Sequence, residues 1–287
     1  MRNGRGFELG LLLLAALLLA LGADWATPGD SLDLSDREPS SLRAVTWNVG
    51  QELRQGAAGL RGDQVEHVVE RLKQLDADVI LLQELSDREQ GRQIQAGLGS
   101  EWISEISGSS GGRRLAILVR NADIEVKARR LRSESGTAML ALVDMYRRNG
   151  ETIPLVISCV HAGAFSPEDR NELLGVTRSL MDRHAETRLR LLGGDLNIDL
   201  DPDARRDLFS DDARLDVQTY NFLLQAGSGL PGLVDVTSET GPTAEPDRRL
   251  DYFFASPELA EGAKAAVWRG QRAGGMDHDP VFVELRY

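Results

Sequence analysis

The sequence contains little cysteine, since Cys159 is the only one among its 287 residues. A disulfide within the chain needs two thiols and a cysteine zinc site needs more, so both are excluded. The fold must therefore be stabilised by packing. Aromatic residues are also few, at 5%, and they do not alternate with basic residues as in proteins that stack on single-stranded nucleic acid.

Lysine is nearly absent, with 3 residues against 30 arginines, and the 45 acidic residues give the chain a net charge of −12. This balance argues against non-specific duplex binding, which works through a basic face. It is compatible with a metal enzyme that cleaves phosphates. Hydrophobic residues at 41% and charged residues at 27% are ordinary globular values, which argue against a disordered chain or a coiled coil.

A long apolar run is also missing, because the stretch from Leu9 to Ala23 has only 15 residues where a membrane-spanning helix needs about 20. After Arg2 and Arg5, this stretch predicts a signal peptide over residues 1–23, with an uncleaved N-terminal membrane anchor as the alternative. The protein is then exported, periplasmic or secreted, and contacts a membrane only if the segment is retained. The Asp-, Ser- and Pro-rich residues 24–42 indicate a linker, and residues 43–287 form one domain.

Strands and helices alternate along this domain. Apolar patterning predicts strands at 43–49, 78–84, 101–106, 115–120, 137–146, 152–160, 188–193, 249–255, 264–268 and 280–286. Helices are predicted from a capping box at Asp63, from Ser86, from Ser166 to about Arg183, and near 216–226. A mixed set of strands with interleaved helices indicates a layered α/β or α+β domain.

Polar residues capable of metal and phosphate chemistry stand where these strands end. Asn48, Glu84, His161 and Asp195 follow four apolar strands, whereas Asp251 and the pair Asp277-His278 precede two others. If those two strands run antiparallel to the four, all these groups meet at one edge of the sheets.

Three kinds of group make up this set. They are the carboxylates of Glu84, Asp195, Asp251 and Asp277, the amides of Asn48 and Asn197, and the imidazoles of His161 and His278. Carboxylate and amide oxygens suit a hard cation such as Mg²⁺ or Mn²⁺. A histidine beside an aspartate can carry a proton or steady phosphate charge. Together they suit metal-assisted attack of water on a phosphoester.

The motifs that carry these residues stand in a fixed order along the chain. They are Thr46-Trp47-Asn48-Val49, Gln83-Glu84, Val160-His161, Gly194-Asp195-Leu196-Asn197, Leu250-Asp251-Tyr252 and Asp277-His278-Asp279-Pro280-Val281. In this order they resemble the endonuclease/exonuclease/phosphatase superfamily over about residues 43–287. The resemblance implies a four-layer α/β/β/α sandwich of two packed mixed sheets, with a metal-dependent hydrolytic site at one end.

The resemblance also implies roles for the metal and phosphate ligands. Glu84 is expected as the principal metal ligand, with Asn48 and Asp277 close to the Mg²⁺ or Mn²⁺ ion. Asn197 is expected to hold a phosphate oxygen, as is Asn48. Asp195 is expected to orient or deprotonate the attacking water.

For the histidines, the resemblance implies a place beside the reacting phosphorus. His278, paired with Asp251, and His161 are expected to flank the scissile phosphate, and which of them is acid or base stays open. One residue departs from the family pattern, because Met276 replaces the serine that commonly precedes the Asp-His motif.

The sequence leaves the substrate open. We expect a phosphoester substrate and infer no protein partner. A phosphodiesterase or nuclease is favoured, and a lipid or inositol phosphate phosphoesterase is the alternative. Arg113-Arg114 and Arg248-Arg249 are possible phosphate contacts in the loops.

Two other classes of protein are kept as remote alternatives. One is a serine hydrolase that uses Ser110 within Gly108-Ser109-Ser110-Gly111-Gly112, which matches the Gly-x-Ser-x-Gly pattern. A strand-like segment follows that pattern where a helix is required. The other is a phosphate-ligand binding protein without turnover.

Overall fold

The computed structural model of this chain describes residues 37, 41–50, 64–111, 113–147, 150–200, 213–273 and 275–287. All of them belong to one compact unit. The predicted export segment and most of the predicted linker lie outside the described residues. Within the described ranges, no helix is both long enough and apolar enough to cross a membrane.

The first of two six-stranded sheets consists of β1 (Ser41–Asn48), β2 (Val79–Leu85), β3 (Trp102–Ile106), β4 (Arg114–Arg120), β11 (Lys264–Val267) and β12 (Val281–Arg286). Its strand order is β11-β12-β1-β2-β4-β3. Strands β1 and β2 are parallel, and all other pairs in this sheet are antiparallel. The sheet is therefore mixed, as predicted.

The second sheet has the order β5-β6-β7-β8-β10-β9. Its strands are β5 (Ala122–Arg132), β6 (Thr137–Tyr146), β7 (Thr152–His161), β8 (Leu189–Asp195), β9 (Val234–Asp235) and β10 (Asp251–Ala255). Here β7 and β8 are the parallel pair, and the other pairs are antiparallel. Each sheet thus contains one parallel pair at its centre, and these two pairs carry four of the predicted site residues.

Of the described helices, four cover the outer faces of the two sheets. They are α1 (Val65–Gln74), α2 (Arg88–Leu98), α3 (Pro167–His184) and α4 (Ala213–Leu224). The short α5 (Pro257–Ala260) instead contacts β12 of the first sheet and β8 and β10 of the second. Helices α1 and α2 pack together on the side of the first sheet, and α3 and α4 pack together on the side of the second. The start of α3 is as predicted, because Pro167 occupies its first turn and the Ser166 hydroxyl accepts the Asp169 N–H at 3.1 Å.

The main core lies between the two sheets. Leu81 from the first sheet and Ile157, Leu191 and Phe253 from the second are completely buried there. A methyl group at Gly193 would lie 2.5 Å from the Phe253 ring and 2.8 Å from Leu81, so the two sheets meet closely at this position. Burial of an aliphatic or aromatic side chain stabilises a fold by about 1.5–3 kcal/mol, which explains how a domain without disulfides holds together. The four-layer sandwich predicted from the sequence is confirmed.

The predicted elements differ from the structure in several details. Strands β5 and β9 and the short helix α5 were not predicted, although the residues of β5 alternate in exposure as those of an edge strand do. Helix α2 begins after Asp87 rather than at Ser86, because the Asp87 carboxylate accepts the Gln90 N–H at 2.9 Å. The Gln90 side chain in turn accepts the Ser86 N–H, so the capping box is shifted by one residue. Asp63, the predicted cap of α1, lies outside the described residues.

Candidate active site

The strand directions bring the predicted residues to one edge of the sandwich. Asn48 ends β1 and pairs in register with Gln83 of the parallel strand β2. His161 pairs with Asp195 at the ends of the parallel strands β7 and β8, and Asp251 of antiparallel β10 pairs with the same Asp195. Strand β12, which follows Asp277 and His278, runs antiparallel to β1. The convergence inferred from the sequence therefore exists in the fold.

Glu84 is placed by an irregularity in β2. Gln83 and Glu84 together oppose only Leu115 of β4, as in a β-bulge, and Glu84 has a φ of +61°. Such a bulge redirects a side chain, and a non-glycine residue with positive φ is uncommon and often marks a functional site. The side chain is only 7% exposed. Burial raises the pKa of this carboxyl; Arg113 opposes the shift and Asp195 adds to it.

Asn48 links two carboxylates across the sheets. Its Nδ2 donates to Asp195 Oδ2 at 3.0 Å and to Glu84 Oε1 at 3.3 Å. Its Oδ1 accepts the backbone N–H of Gly50 at 3.0 Å. A Cβ at position 50 would lie 1.9 Å from Glu84 Oε2, so glycine is required where the chain passes this carboxylate. Asn48 therefore orients Glu84 and Asp195 relative to each other.

Asp195 lies at the centre of the site. Its Oδ1 accepts the Asn197 backbone N–H at 3.0 Å. Its Oδ2 lies 3.7 Å from His161 Nε2 and 3.8 Å from His278 Nε2. Asn197 has a φ of +50°, and its side chain donates to the Ala162 carbonyl at 2.9 Å. Both residues are thus held beside the end of β7.

A buried chain of hydrogen bonds fixes His278. Its Nδ1 lies 2.7 Å from Asp251 Oδ2, which also accepts the Thr243 hydroxyl at 2.6 Å. Thr243 in turn accepts the backbone N–H groups of Leu250 and Asp251 at 3.0 and 3.1 Å. Burial by itself lowers the pKa of His278, but the Asp251 and Asp195 carboxylates outweigh it and raise the pKa to about 10. His278 is therefore the charged imidazole of the site at neutral pH.

His161 has the opposite electrostatic setting. Its Nε2 lies 3.2 Å from Glu84 Oε1, and the side chain is 15% exposed. Burial lowers its pKa to about 4; Asp195 opposes that shift and Arg113 adds to it. The two imidazoles are thus separated into a neutral one and a charged one, the pattern of groups with distinct roles in proton transfer.

Asp277 lies beside the same carboxylates. Its backbone carbonyl accepts the Glu245 N–H at 3.0 Å. Burial raises the pKa of its carboxyl, and the charges of Glu84 and Asp195 raise it further, while His278 opposes them. Ligand-type atoms of Asp195, Asp251 and His278 also lie within 4.8 Å of one another, but this group does not include Glu84 or Asp277, and a protonated His278 has no lone pair to give to a cation. A divalent cation beside Glu84 and Asp277 would relieve the repulsion that Glu84 and Asp195 exert on Asp277, so these carboxylate oxygens fit such an ion.

Thr243 is the positioning residue that the sequence did not predict. It lies in an irregular loop and has no periodic or motif signal of its own. Only its contact with Asp251 reveals it, and that contact depends on how the loop folds back against β10.

The arginine pairs suggested as phosphate contacts differ from one another. Arg248 donates to Asp199 at 2.8 Å, and Arg249 donates to Asp235 and to the Thr237 carbonyl, both at 3.0 Å. These two guanidinium groups are engaged within the fold, and Asp199 is buried. Arg113 instead contacts Glu84 in the site.

Ser110 lies in a hairpin loop. The antiparallel strands β3 and β4 flank it, and Ser110 and Arg113 exchange two backbone hydrogen bonds of 2.9 Å. A nucleophile elbow needs a strand before the serine and a helix after it. The fold therefore contradicts the serine hydrolase alternative.

Comparisons with known proteins agree with this geometry. The model of a family described as Endonuclease/Exonuclease/phosphatase matches residues 45–272. The chain is similar in fold to a mannosyl-6-phosphatase of Bacteroides thetaiotaomicron, with a TM-score of 0.62 and 15% identity over 86% of this chain and 100% of the other. Truncated TDP2 of Caenorhabditis elegans gives a TM-score of 0.59 and 16% identity over 86% and 98%.

The human Nocturnin catalytic domain with bound sulfate gives a TM-score of 0.61 and 13% identity over 87% of this chain and 95% of that one. A comparison with curated proteins gave no match. At these identities the structural likeness concerns the fold.

Proposed function

The chain belongs to the endonuclease/exonuclease/phosphatase family, whose members are hydrolases that act on phosphoesters, and we propose that it is a divalent-metal-dependent phosphodiesterase. The observation that carries this proposal is the meeting of Glu84, Asn48 and Asp195 with the hydrogen-bonded pair of His278 and Asp251. These groups combine hard oxygen ligands with one charged and one neutral imidazole at the edge of a rigid sandwich.

The proposed cation is Mg²⁺ or Mn²⁺, held by Glu84 and Asp277 with Asn48 beside them. The hydrogen bonds of Asn48 set its role, because its Oδ1 is engaged with Gly50 and its Nδ2 orients the two carboxylates. When bound, such an ion supplies Lewis-acid polarisation of a phosphoryl oxygen and neutralises developing charge. Burial raises the pKa of both carboxyls, and the charges of Glu84 and Asp195 raise that of Asp277 further, which supports this assignment.

The remaining groups act on water and phosphate. We propose that Asp195 orients the attacking water and accepts its proton; the position of its Oδ2, 3.7 Å from His161 Nε2 and 3.8 Å from His278 Nε2, supports this role. The Asn197 amide has a second N–H beyond the one given to Ala162, and this N–H is proposed to hold a phosphate oxygen. Charged His278 stabilises negative charge on the phosphoryl group, with Asp251 fixing its orientation. Neutral His161 is proposed to flank the scissile phosphate on the side opposite His278.

A substrate panel tests this function. It contains plasmid DNA, RNA, sphingomyelin, inositol phosphates and bis(4-nitrophenyl) phosphate, each with Mg²⁺, and uses Glu84→Ala as the blank. We expect hydrolysis of one or more diesters by the wild type and none by the blank. Turnover of inositol monoesters alone would contradict the diester assignment and favour the lipid or inositol phosphate alternative. Phosphate binding without any turnover would favour a binding protein.

Export remains a prediction of the sequence. The apolar stretch from Leu9 to Ala23 supports it, and we propose that residues 1–23 direct the catalytic domain, residues 43–287, out of the cytoplasm. Whether the segment is cleaved after Ala23 or retained as an anchor does not alter the chemistry proposed for the site.

A further inference from the structure

Arg113 lies against the proposed metal ligand. Its Nη1 donates to Glu84 Oε1 in a direct ion pair, and its side chain is 20% exposed. In the part of the chain that the structure describes, it is the only arginine or lysine joined by an ion pair to Glu84, Asp195, Asp251 or Asp277. Arg113 therefore brings a long, permanently charged side chain to these carboxylates.

Glu84 Oε1 is crowded. Besides Arg113, it accepts Asn48 Nδ2 at 3.3 Å and lies 3.2 Å from His161 Nε2. Asn48 and His161 end strands within the sheets, whereas Arg113 comes from a loop. A divalent cation that binds the Glu84 carboxylate reduces the attraction of that carboxylate for the guanidinium, because the ion and the guanidinium then compete for one buried negative charge. Arg113, the partner that comes from the loop, is therefore the one that the cation can displace.

The loop presents Arg113 firmly towards the site. Its backbone is closed by the two hydrogen bonds with Ser110. Arg132 of the neighbouring sheet donates to the Ser109 carbonyl at 2.8 Å, which braces the loop from outside. Arg114 points elsewhere and donates to the Ser107 carbonyl at 3.2 Å. The adjacent arginines thus have different tasks, with Arg114 holding the loop and Arg113 reaching Glu84.

We propose that Arg113 competes with the divalent cation for Glu84 and, when the cation displaces it, binds a non-bridging oxygen of the substrate phosphate. This inference rests on the proposed metal-dependent function. A guanidinium offers five N–H donors in a planar fork that matches phosphate oxygens as well as it matches a carboxylate. Its long side chain is only partly buried, so it can move between the two anions while the backbone stays in place. Cation binding and phosphate binding are then linked through one residue.

Direct binding measurements test the competition. Free Mn²⁺ is followed by electron paramagnetic resonance in the wild type, Arg113→Ala and Arg113→Lys. We expect Arg113→Ala to bind Mn²⁺ about 3- to 10-fold more tightly, because the competing ion pair is gone. Arg113→Lys should fall between the two, since an ammonium lacks the planar fork. The control is Arg129→Ala. It removes the same charge from Arg129 on β5, which forms a surface ion pair with Glu105 on β3.

The second measurement follows phosphate. With Mn²⁺ saturating, calorimetry with inorganic phosphate should show at least about 10-fold weaker binding to Arg113→Ala than to the wild type or to Arg129→Ala. Tighter Mn²⁺ with weaker phosphate is a pattern that simple unfolding does not produce. Unchanged or weaker Mn²⁺ binding by Arg113→Ala would overturn the competition, and unchanged phosphate binding would overturn the second role.

Glu84→Ala separates this inference from the function on which it rests. If Glu84→Ala loses Mn²⁺ affinity and Arg113→Ala gains none, the metal site stands and the role of Arg113 falls. If Glu84→Ala binds Mn²⁺ as the wild type does, Glu84 is not the metal ligand, and both are overturned.

Discussion

Thr243 and Asp251 show how single residues set the chemistry of this site. Both are completely buried, and their hydrogen bond leaves Asp251 Oδ2 between a hydroxyl and the His278 ring. The other oxygen, Asp251 Oδ1, is buried without a hydrogen-bond partner in the described part of the chain. A buried and incompletely satisfied carboxylate is costly for stability. The cost is consistent with a functional role, namely holding His278 charged and oriented.

The first prediction concerns Asp251. Asp251→Asn keeps the size of the side chain but removes the charge that orients and stabilises the His278 imidazolium. We expect kcat on the best substrate of the panel to fall by about 10²- to 10⁴-fold while KM changes little, as for the loss of an interaction made in the transition state.

Asp144→Asn is the control for this prediction, because it alters a surface carboxylate that is paired with Arg188 away from the site. Steady-state kinetics of both variants make the comparison. A kcat within a factor of about 3 of the wild type for Asp251→Asn would contradict the role given to the pair.

Some single residues could be predicted from the sequence and others could not. Cys159 is a buried thiol, with its pKa raised to about 12 by burial. Its place in an apolar strand was sufficient evidence. Arg248 and Thr243 were different, because neither carries a pattern. A guanidinium that pairs with Asp199 and a hydroxyl that supports Asp251 are consequences of loop paths that no local signal specifies.

At the scale of elements, α3 and α4 support the loop that follows His161. Arg170 of α3 and Asp216 of α4 form a fully buried ion pair at 2.9 Å. Arg170 also donates to the carbonyls of Gly163 and Ala164 at 2.9 and 3.2 Å. One arginine therefore ties two helices to the segment that leaves β7 beside the site.

The second prediction tests this connection. Asp216→Ala leaves the Arg170 charge buried without its carboxylate, and we expect the free energy of unfolding in urea to fall by about 3–5 kcal/mol. Asp144→Ala, which breaks a partly exposed pair with Arg188, should cost only about 0–1 kcal/mol. Equal costs for the two variants would show that the buried pair does not stabilise the packing of α3 on α4.

The presence of most strands and helices was easier to predict than the register in which the strands pair. The central strands are mostly apolar, and their ends carry the site residues, so both the strands and the site residues could be predicted from the sequence. Strand β5 was missed although its apolar and polar residues alternate from Ala122 to Arg129, and only the pair Arg129-Arg130 interrupts the pattern, so the sequence did carry the signal for it. The bulge that places Glu84 could not be predicted, since it depends on the register of β2 against β4.

Across the whole molecule, part of the excess of acidic residues is concentrated at the site. The chain has a net charge of −12, and four of its carboxylates meet at one edge of the sandwich. The positive charges of Arg113 and His278 partly offset them there. Because an acidic surface repels a long polyanion, we expect short or neutralised phosphodiesters to be better substrates than duplex nucleic acid. Stability comes from two large sheets packed face to face, without disulfides.

The claim that the protein is a metal-dependent phosphoesterase is tested most directly by removing and restoring the metal. Hydrolysis of bis(4-nitrophenyl) phosphate is measured after dialysis against a chelator and again after addition of Mg²⁺ or Mn²⁺, for the wild type, Glu84→Ala and Ser110→Ala. We predict that the wild type and Ser110→Ala lose activity on dialysis and regain it with the cation, and that Glu84→Ala stays inactive. Activity that survives chelation, or that Glu84→Ala retains, would contradict the account.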